Sequence, residues 1–224
     1  MLRHLGFILT FVCLASGCSR SSYEDYEDVA RFHEDGRAKP VVALVPVFDC
    51  TDAQLAWSLS EEFTDHIKQR FLKKNSFFLS TPEQVNSSIQ RLDENNNPFL
   101  SDFSWVKNAF QNQEFVIFAE LVEHDIHTKE LKNNFMDKLT PSSELSMIVR
   151  VRVFDLREEE PVIILQEMIH QTHLIPKPTD LMEQSPDKWK KLTFAISPMG
   201  LAHAGLCREV TKRIEEYIIL AKSN

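Results

Sequence analysis

Apolar residues along this chain fall into blocks of distinct period, and each period predicts an element. Residues 5–14 (LGFILTFVCL) form an apolar run of ten, half of the roughly 20 that a membrane-spanning helix needs. Residues 19–40 are polar and acidic. Residues 41–48 (VVALVPVF) are β-branched and apolar without alternation, the pattern of a strand buried on both faces. Pro46 interrupts it, because proline removes a ladder donor. Leu55, Leu59, Phe63, Ile67 and Phe71 then recur every four residues, which predicts a helix over 54–74 with one buried stripe. Thr51 and Gln54 are spaced as its capping box.

A short strand is expected at 77–80, followed by a strong helix start in Thr81-Pro82-Glu83-Gln84, with proline at the first helical position. That helix is expected to end near Leu92, with a further short one over 102–111. Residues 115–123 (FVIFAELVE) read as a strand and 124–143 as a polar connection. Leu145, Met147, Val149, Val151 and Val153 alternate with Ser146, Arg150 and Arg152, which predicts an antiparallel strand with one open face. Residues 161–175 return as its hairpin partner. After an irregular stretch, Leu206, Val210, Ile214, Tyr217 and Ala221 form the stripe of a last helix, which Ala202 and Gly205 let pack closely. The order β-α-β-α-(α)-β-β-β-α predicts a single α/β domain over 41–222, three-layer-like, with a mixed sheet and flanking helices.

Composition narrows the function. The formal charge is −8 over 224 residues, and no basic stripe is visible, which argues against nucleic acid as a partner. Only five glycines occur, two of them at positions 6 and 17. Phosphate-binding loops and nucleophile elbows need closely spaced glycines, so neither is written here and no cofactor is expected. His124 and His127, and His170 and His173, are three apart. On a strand such residues point to opposite faces, so no metal site and no catalytic residue is assigned, and solvated histidines are expected. Glu61-Glu62 and Glu215-Glu216 read as exposed helix carboxylates paired with basic residues one turn away. Arg150 and Arg152 read as solubilising residues of an open sheet face, or as a site for an acidic partner. Trp57 and Trp105 read as partly packed in the core, or as interface anchors.

The apolar run at 5–14 ends in Leu14-Ala15-Ser16-Gly17-Cys18. A basic start, a short apolar core and small residues at a cut site describe a secretory signal. The cysteine directly after them resembles the cleavage and acylation box of bacterial lipoproteins. That resemblance implies cleavage between Gly17 and Cys18 and acylation of Cys18, giving domains 1–17 (signal peptide) and 18–40 (acylated cysteine and polar tether). Loss of the leader removes only Arg3, so −8 becomes −9. Ser19 implies the outer membrane, since lipoproteins kept at the inner membrane often carry aspartate there. Two further cysteines remain, Cys50 and Cys207. An exported compartment permits a disulfide between them; two separately packed thiols are the alternative, and spacing does not decide.

The stretch VALVPVFDCTD, the helix QLAWSLSEEFTDHIKQRFLKK, the step TPEQV and the strand QEFVIFAEL resemble the pattern of the curli-secretion lipoprotein superfamily, which includes activators of penicillin-binding proteins. Both glycines of that family's strand motif are missing here. The whole chain is also similar in style to an uncharacterised family of chlamydial lipoproteins. These resemblances imply a membrane-anchored, non-catalytic binding or assembly module in the periplasm, with an envelope protein as partner. The alternatives are an envelope hydrolase or metal-dependent enzyme, and a structural oligomer or secretion accessory.

Overall fold

A computed structural model of the chain describes residues 31–92, 96–128, 142–176 and 185–223. The elements are β1 (Val41–Leu44), β2 (Phe48–Asp49), α1 (Leu59–Lys74), β3 (Phe78–Leu79), α2 (Pro82–Ile89), α3 (Trp105–Ala109), β4 (Phe115–Thr128), β5 (Ser142–Asp155) and β6 (Val162–Pro176). A 3-10 turn (Lys188–Lys190), the short helix α4 (Leu192–Ala195) and α5 (Pro198–Ser223) complete the chain. One mixed sheet of six strands runs β3-β1-β4-β5-β6, with β2 also paired to β4. The first three strands are parallel, and β4, β5 and β6 are antiparallel. The expected α/β class and mixed sheet are therefore the observed architecture.

Pro46 splits the apolar run into β1 and β2, as its missing donor requires. β1 pairs with the start of β4, and β2 resumes the pairing three residues farther along, at Phe48↔Glu120. The detour is tied down by Val47, whose N–H donates to Thr64 Oγ1 at 2.8 Å, and by Ser60, whose hydroxyl donates to the Val47 carbonyl at 2.5 Å.

The alternation of β5 sorts the sheet into two faces. Leu145, Met147, Val149, Val151 and Val153 are buried on the face covered by α1 and α5. These helices lie side by side and parallel: Glu62 meets His203 near one end, and Lys74 meets Glu215 near the other. Leu59, Phe63, Ile67 and Phe71 are the buried stripe of α1. The opposite face packs Val116, Phe118 and Phe154 against Val85 of α2 and Val106, Ala109 and Phe110 near α3. Phe118 is edge-on to both Phe110 and Phe154.

Several boundaries differ from the sequence expectation. α1 begins at Leu59, capped by the Ser58 hydroxyl accepting from the Glu61 N–H at 3.2 Å. Thr51 instead bonds the Asp49 carboxylate through both its N–H and its hydroxyl, which closes a turn there. The box at Thr81 and Gln84 forms as expected. β4 runs on to Thr128, because a bulge between Leu121 and Glu123 lets pairing continue with His124 on the core side. On α5 the stripe passes through Ile218, which is buried, while Tyr217 is exposed. A helix advances 3.6 residues per turn, so an exact four-residue step drifts off the core face. Close approach falls to Gly200 rather than Gly205: a Cβ there would lie 2.1 Å from the Phe194 carbonyl oxygen.

Residues 31–40 fold against the domain instead of ending a loose tether. Phe32 and Ala38 form an antiparallel bridge around Gly36, whose φ of 82° suits glycine. Lys39 is buried and donates to Asn75 Oδ1 at the end of α1 at 2.6 Å. The leader, Cys18 and most of the 124–143 connection, together with residues 177–184, lie outside the described residues.

Candidate functional site

The densest polar chemistry sits between α1, α5 and β4. Glu62 and His203 are 0% exposed and His124 is 4% exposed. His203 Nδ1 lies 2.7 Å from Glu62 Oε1, and its Nε2 lies 3.0 Å from His124 Nε2. Trp57 Nε1 donates to Glu62 Oε2 at 2.7 Å, and His66 Nε2, on the solvent side, is 3.6 Å from Glu62 Oε1. The expectations of an exposed Glu62 and a solvated His124 are both corrected. A lone charge in the core costs several kcal/mol, so burial here requires the partners to be buried together.

Charge states follow from the surroundings. Burial pushes the Glu62 carboxyl up, but the charge of His203 and hydrogen bonds from His203, His66 and Trp57 outweigh it and hold the group at about 2. Burial, then the charge of His203, pulls His124 down to about 4. Glu62 is thus a carboxylate and His124 a neutral imidazole. Both ring nitrogens of His203 are engaged, Nδ1 by Glu62 and Nε2 by His124, so the cluster pins α1, α5 and β4 together. Phe63, Phe194 and the Trp57 ring enclose it.

On the other face, Arg150 and Arg152 are not open. Arg150 pairs with Glu120, with Nε to Oε2 at 2.7 Å, and its guanidinium lies 4.5 Å from the Phe99 ring centre. Arg152 is 7% exposed and donates to the Pro98 carbonyl at 2.7 Å, the Leu100 carbonyl at 2.8 Å and Gln166 Oε1 at 2.6 Å. Both serve to hold the loop at 96–103 against the sheet. Glu215 is likewise drawn in, pairing with Lys74 and accepting from Ser76 at 2.6 Å. Trp57 is buried at the cluster, and Trp105 is half-buried, with its ring edge-on to Phe118.

The histidine pairs divide between faces as strand geometry requires. His124 is buried and His127 exposed; His170 is exposed, and His173 is half-buried on the α5 side. Glu123, Asp125 and His127 share the outer face of β4, with ligand atoms within 4.8 Å of one another. Among the described residues they are the group that could hold a cation; the sequence reading weighed His127 only with His124 and passed over Glu123 and Asp125. Cys50 and Cys207 are separate thiols, the second of the two alternatives. Cys50 is exposed and donates to Glu120 Oε1 at 3.1 Å, which with burial pushes its thiol up to about 11. Cys207 is buried under the opposite face, where desolvation raises its thiol strongly.

The fold and this core cluster define an α/β domain with helices on both faces of a mixed sheet. The chain belongs to the family of unknown function DUF7499, whose model matches residues 28–222. A hypothetical protein from Chlamydia trachomatis of known structure is 28% identical, with a TM-score of 0.60 over 81% of this chain and 98% of that one. The LpoB C-terminal domain from Salmonella enterica is 14% identical, with a TM-score of 0.38 over 59% and 82% of the two chains. Lipoprotein GNA1162 from Neisseria meningitidis is 8% identical, with a TM-score of 0.38 over 77% and 99%. The last two are distant likenesses. No curated protein matches the chain.

Proposed function

We propose that the chain is a lipid-anchored envelope module that binds or assembles other envelope proteins and carries out no catalysis. Cys18 is the acylated residue, freed by cleavage after Gly17. The anchor sits in the outer membrane and the domain faces the periplasm. The observation that carries this reading is the box from Leu14 to Cys18 at the end of a short apolar run. Each buried methylene adds about 0.8 kcal/mol, so two or more acyl chains hold a protein on a bilayer stably. The core cluster supports the non-catalytic half of the reading: its carboxylate and central imidazole satisfy each other at 0% exposure. The chlamydial relative supports a bacterial setting.

The test is detergent phase separation of the full chain and of Cys18→Ala, both expressed in a bacterium. The wild type should enter the detergent phase and the variant should leave it. A variant that still partitions fully with detergent overturns the anchor. Metal analysis of the same preparation addresses catalysis: stoichiometric zinc would favour a metal-dependent hydrolase instead.

A further inference from the structure

The two edges of the sheet are unequal. One is β3, a strand of two residues, Phe78–Leu79. The other is β6, a strand of 15 residues, Val162–Pro176. An edge strand presents a row of unpaired N–H and C=O groups, and natural sheets guard such rows with shortness, lysines, prolines, bulges or inward charges. β3 is guarded by its length. β6 carries no lysine or arginine, has its one proline at the last position, and is irregular only near its start, opposite Val153 and Phe154. Glu167 is its single carboxylate. Among the described residues, no other strand or loop backbone bonds to its outer side. α5 packs on one face of β6, while Met168 and Leu174 are each 59% exposed on the other face.

We propose that β6 pairs edge to edge with β6 of a second copy of this chain, antiparallel about a two-fold axis at His170. The occupant is argued from the strand's own pattern. A two-fold contact is isologous, so the strand must complement itself. Centred on His170, the pairing sets Glu167 opposite the partner's His173 on the α5 side, a carboxylate facing an imidazole, and the axis repeats this match. Met168 falls opposite the partner's Thr172 on the outer face. Side chains that hydrogen-bond or pack directly across an antiparallel ladder stabilise it. Moving the axis to Ile169 loses the match and sets Glu167 opposite the partner's Gln171. The result is a sheet continuous across the two copies, with α5 of each protomer on one side. This pairing does not depend on the lipid anchor.

The test uses the full chain with Cys50 replaced by serine. His170→Cys places a thiol at the axis, where directly opposed Cα atoms of an antiparallel pair lie about 4.5–5.5 Å apart, within disulfide reach. Glu83→Cys, exposed on α2 directly after β3 at the opposite edge of the sheet, is the control and retains the same remaining cysteines. Oxidation in intact cells should convert most of the His170→Cys protein to a crosslinked dimer and leave Glu83→Cys at background. Light scattering of the purified wild-type chain, corrected for detergent, should give twice the protomer mass. Met168→Lys with Thr172→Lys sets ammonium groups opposite one another across the axis, on exposed positions that leave the core intact, and should halve that mass. A monomeric wild type, equal crosslinking from both reporters, or a lysine variant that stays dimeric overturns the proposal.

Discussion

Replacing His124 by glutamine should flatten the pH dependence of stability between about pH 7.5 and pH 5. His124 is held at about 4 by burial and by the charge of His203, against 6.5 for the free side chain. The folded state therefore refuses a proton that the unfolded chain accepts. Stability is lost as pH falls below about 6.5 and the loss is complete near 4, worth about 3 kcal/mol at 1.36 kcal/mol per unit. By pH 5 roughly 1.5 units have been crossed, so His124 alone accounts for about 2 kcal/mol of that loss. Glu62 has the opposite chemistry and a separate window. Its carboxyl is depressed from 4.5 to about 2, so its contribution is whole above pH 4.5 and is lost only as pH falls from there toward 2. It is therefore silent between pH 7.5 and 5.

The groups facing His124 are Glu62 on α1, His203 on α5 and Asp49 on β2. Glutamine keeps a hydrogen-bonding group, donor or acceptor, for His203 Nε2 and carries no titrating group. The variant should lose about 1 kcal/mol at neutral pH, the scale of one altered hydrogen bond. The assay is urea unfolding followed by tryptophan fluorescence, since Trp57 reports directly on the cluster. A pH slope identical in wild type and His124→Gln would refute the reasoning.

Two further outcomes follow from the same contacts. Glu62→Gln removes the carboxylate that His203, His66 and Trp57 share in the core, and removing one partner of a buried pair costs about 3–5 kcal/mol; urea unfolding at neutral pH measures it, and a loss below about 1 kcal/mol would refute the pairing. Arg152→Met removes the bonds to Pro98, Leu100 and Gln166 and should loosen the 96–103 loop by about 2 kcal/mol, seen as faster amide exchange in that loop with β5 itself unchanged.

Elements with strong local signals were legible in the sequence. The four-residue stripe of α1, the Thr81 capping box and the alternation of β5 each encode an element within a few residues, and Pro46 marks the break between β1 and β2. The core cluster was not legible, because periodicity weighs residues singly. Glu62 stands three residues after Leu59, and His203 three before Leu206, so both lie on buried stripes. Read alone, each is a polar residue more cheaply placed in water. Only the pairing of the two stripes shows that each removes the cost of the other. The same blindness truncated β4 at His124, which counted as polar until His203 appeared opposite it. Thr51 and Asp49 show the reverse case, a local hydrogen bond that captured a plausible cap for a turn.

The cluster also answers a problem that apolar packing leaves open. α1 and α5 are parallel, and each presents large apolar residues at steps of about one turn. Two such stripes can slide by one turn, about 5.4 Å, and still bury apolar surface against apolar surface. Polar matches do not tolerate that slip. Glu62 is matched to His203 near one end and Lys74 to Glu215 near the other. Both intervals are 12 residues long, about 18 Å of helix, so the two contacts close together or not at all. A slip would leave Glu62 charged in the core, at a cost larger than that of moving any single methyl group. The register so fixed sets Gly205 against the side chains of Gln171 and His173. The position of α5 on β6 is thereby decided by a carboxylate and an imidazole near its N-terminal end.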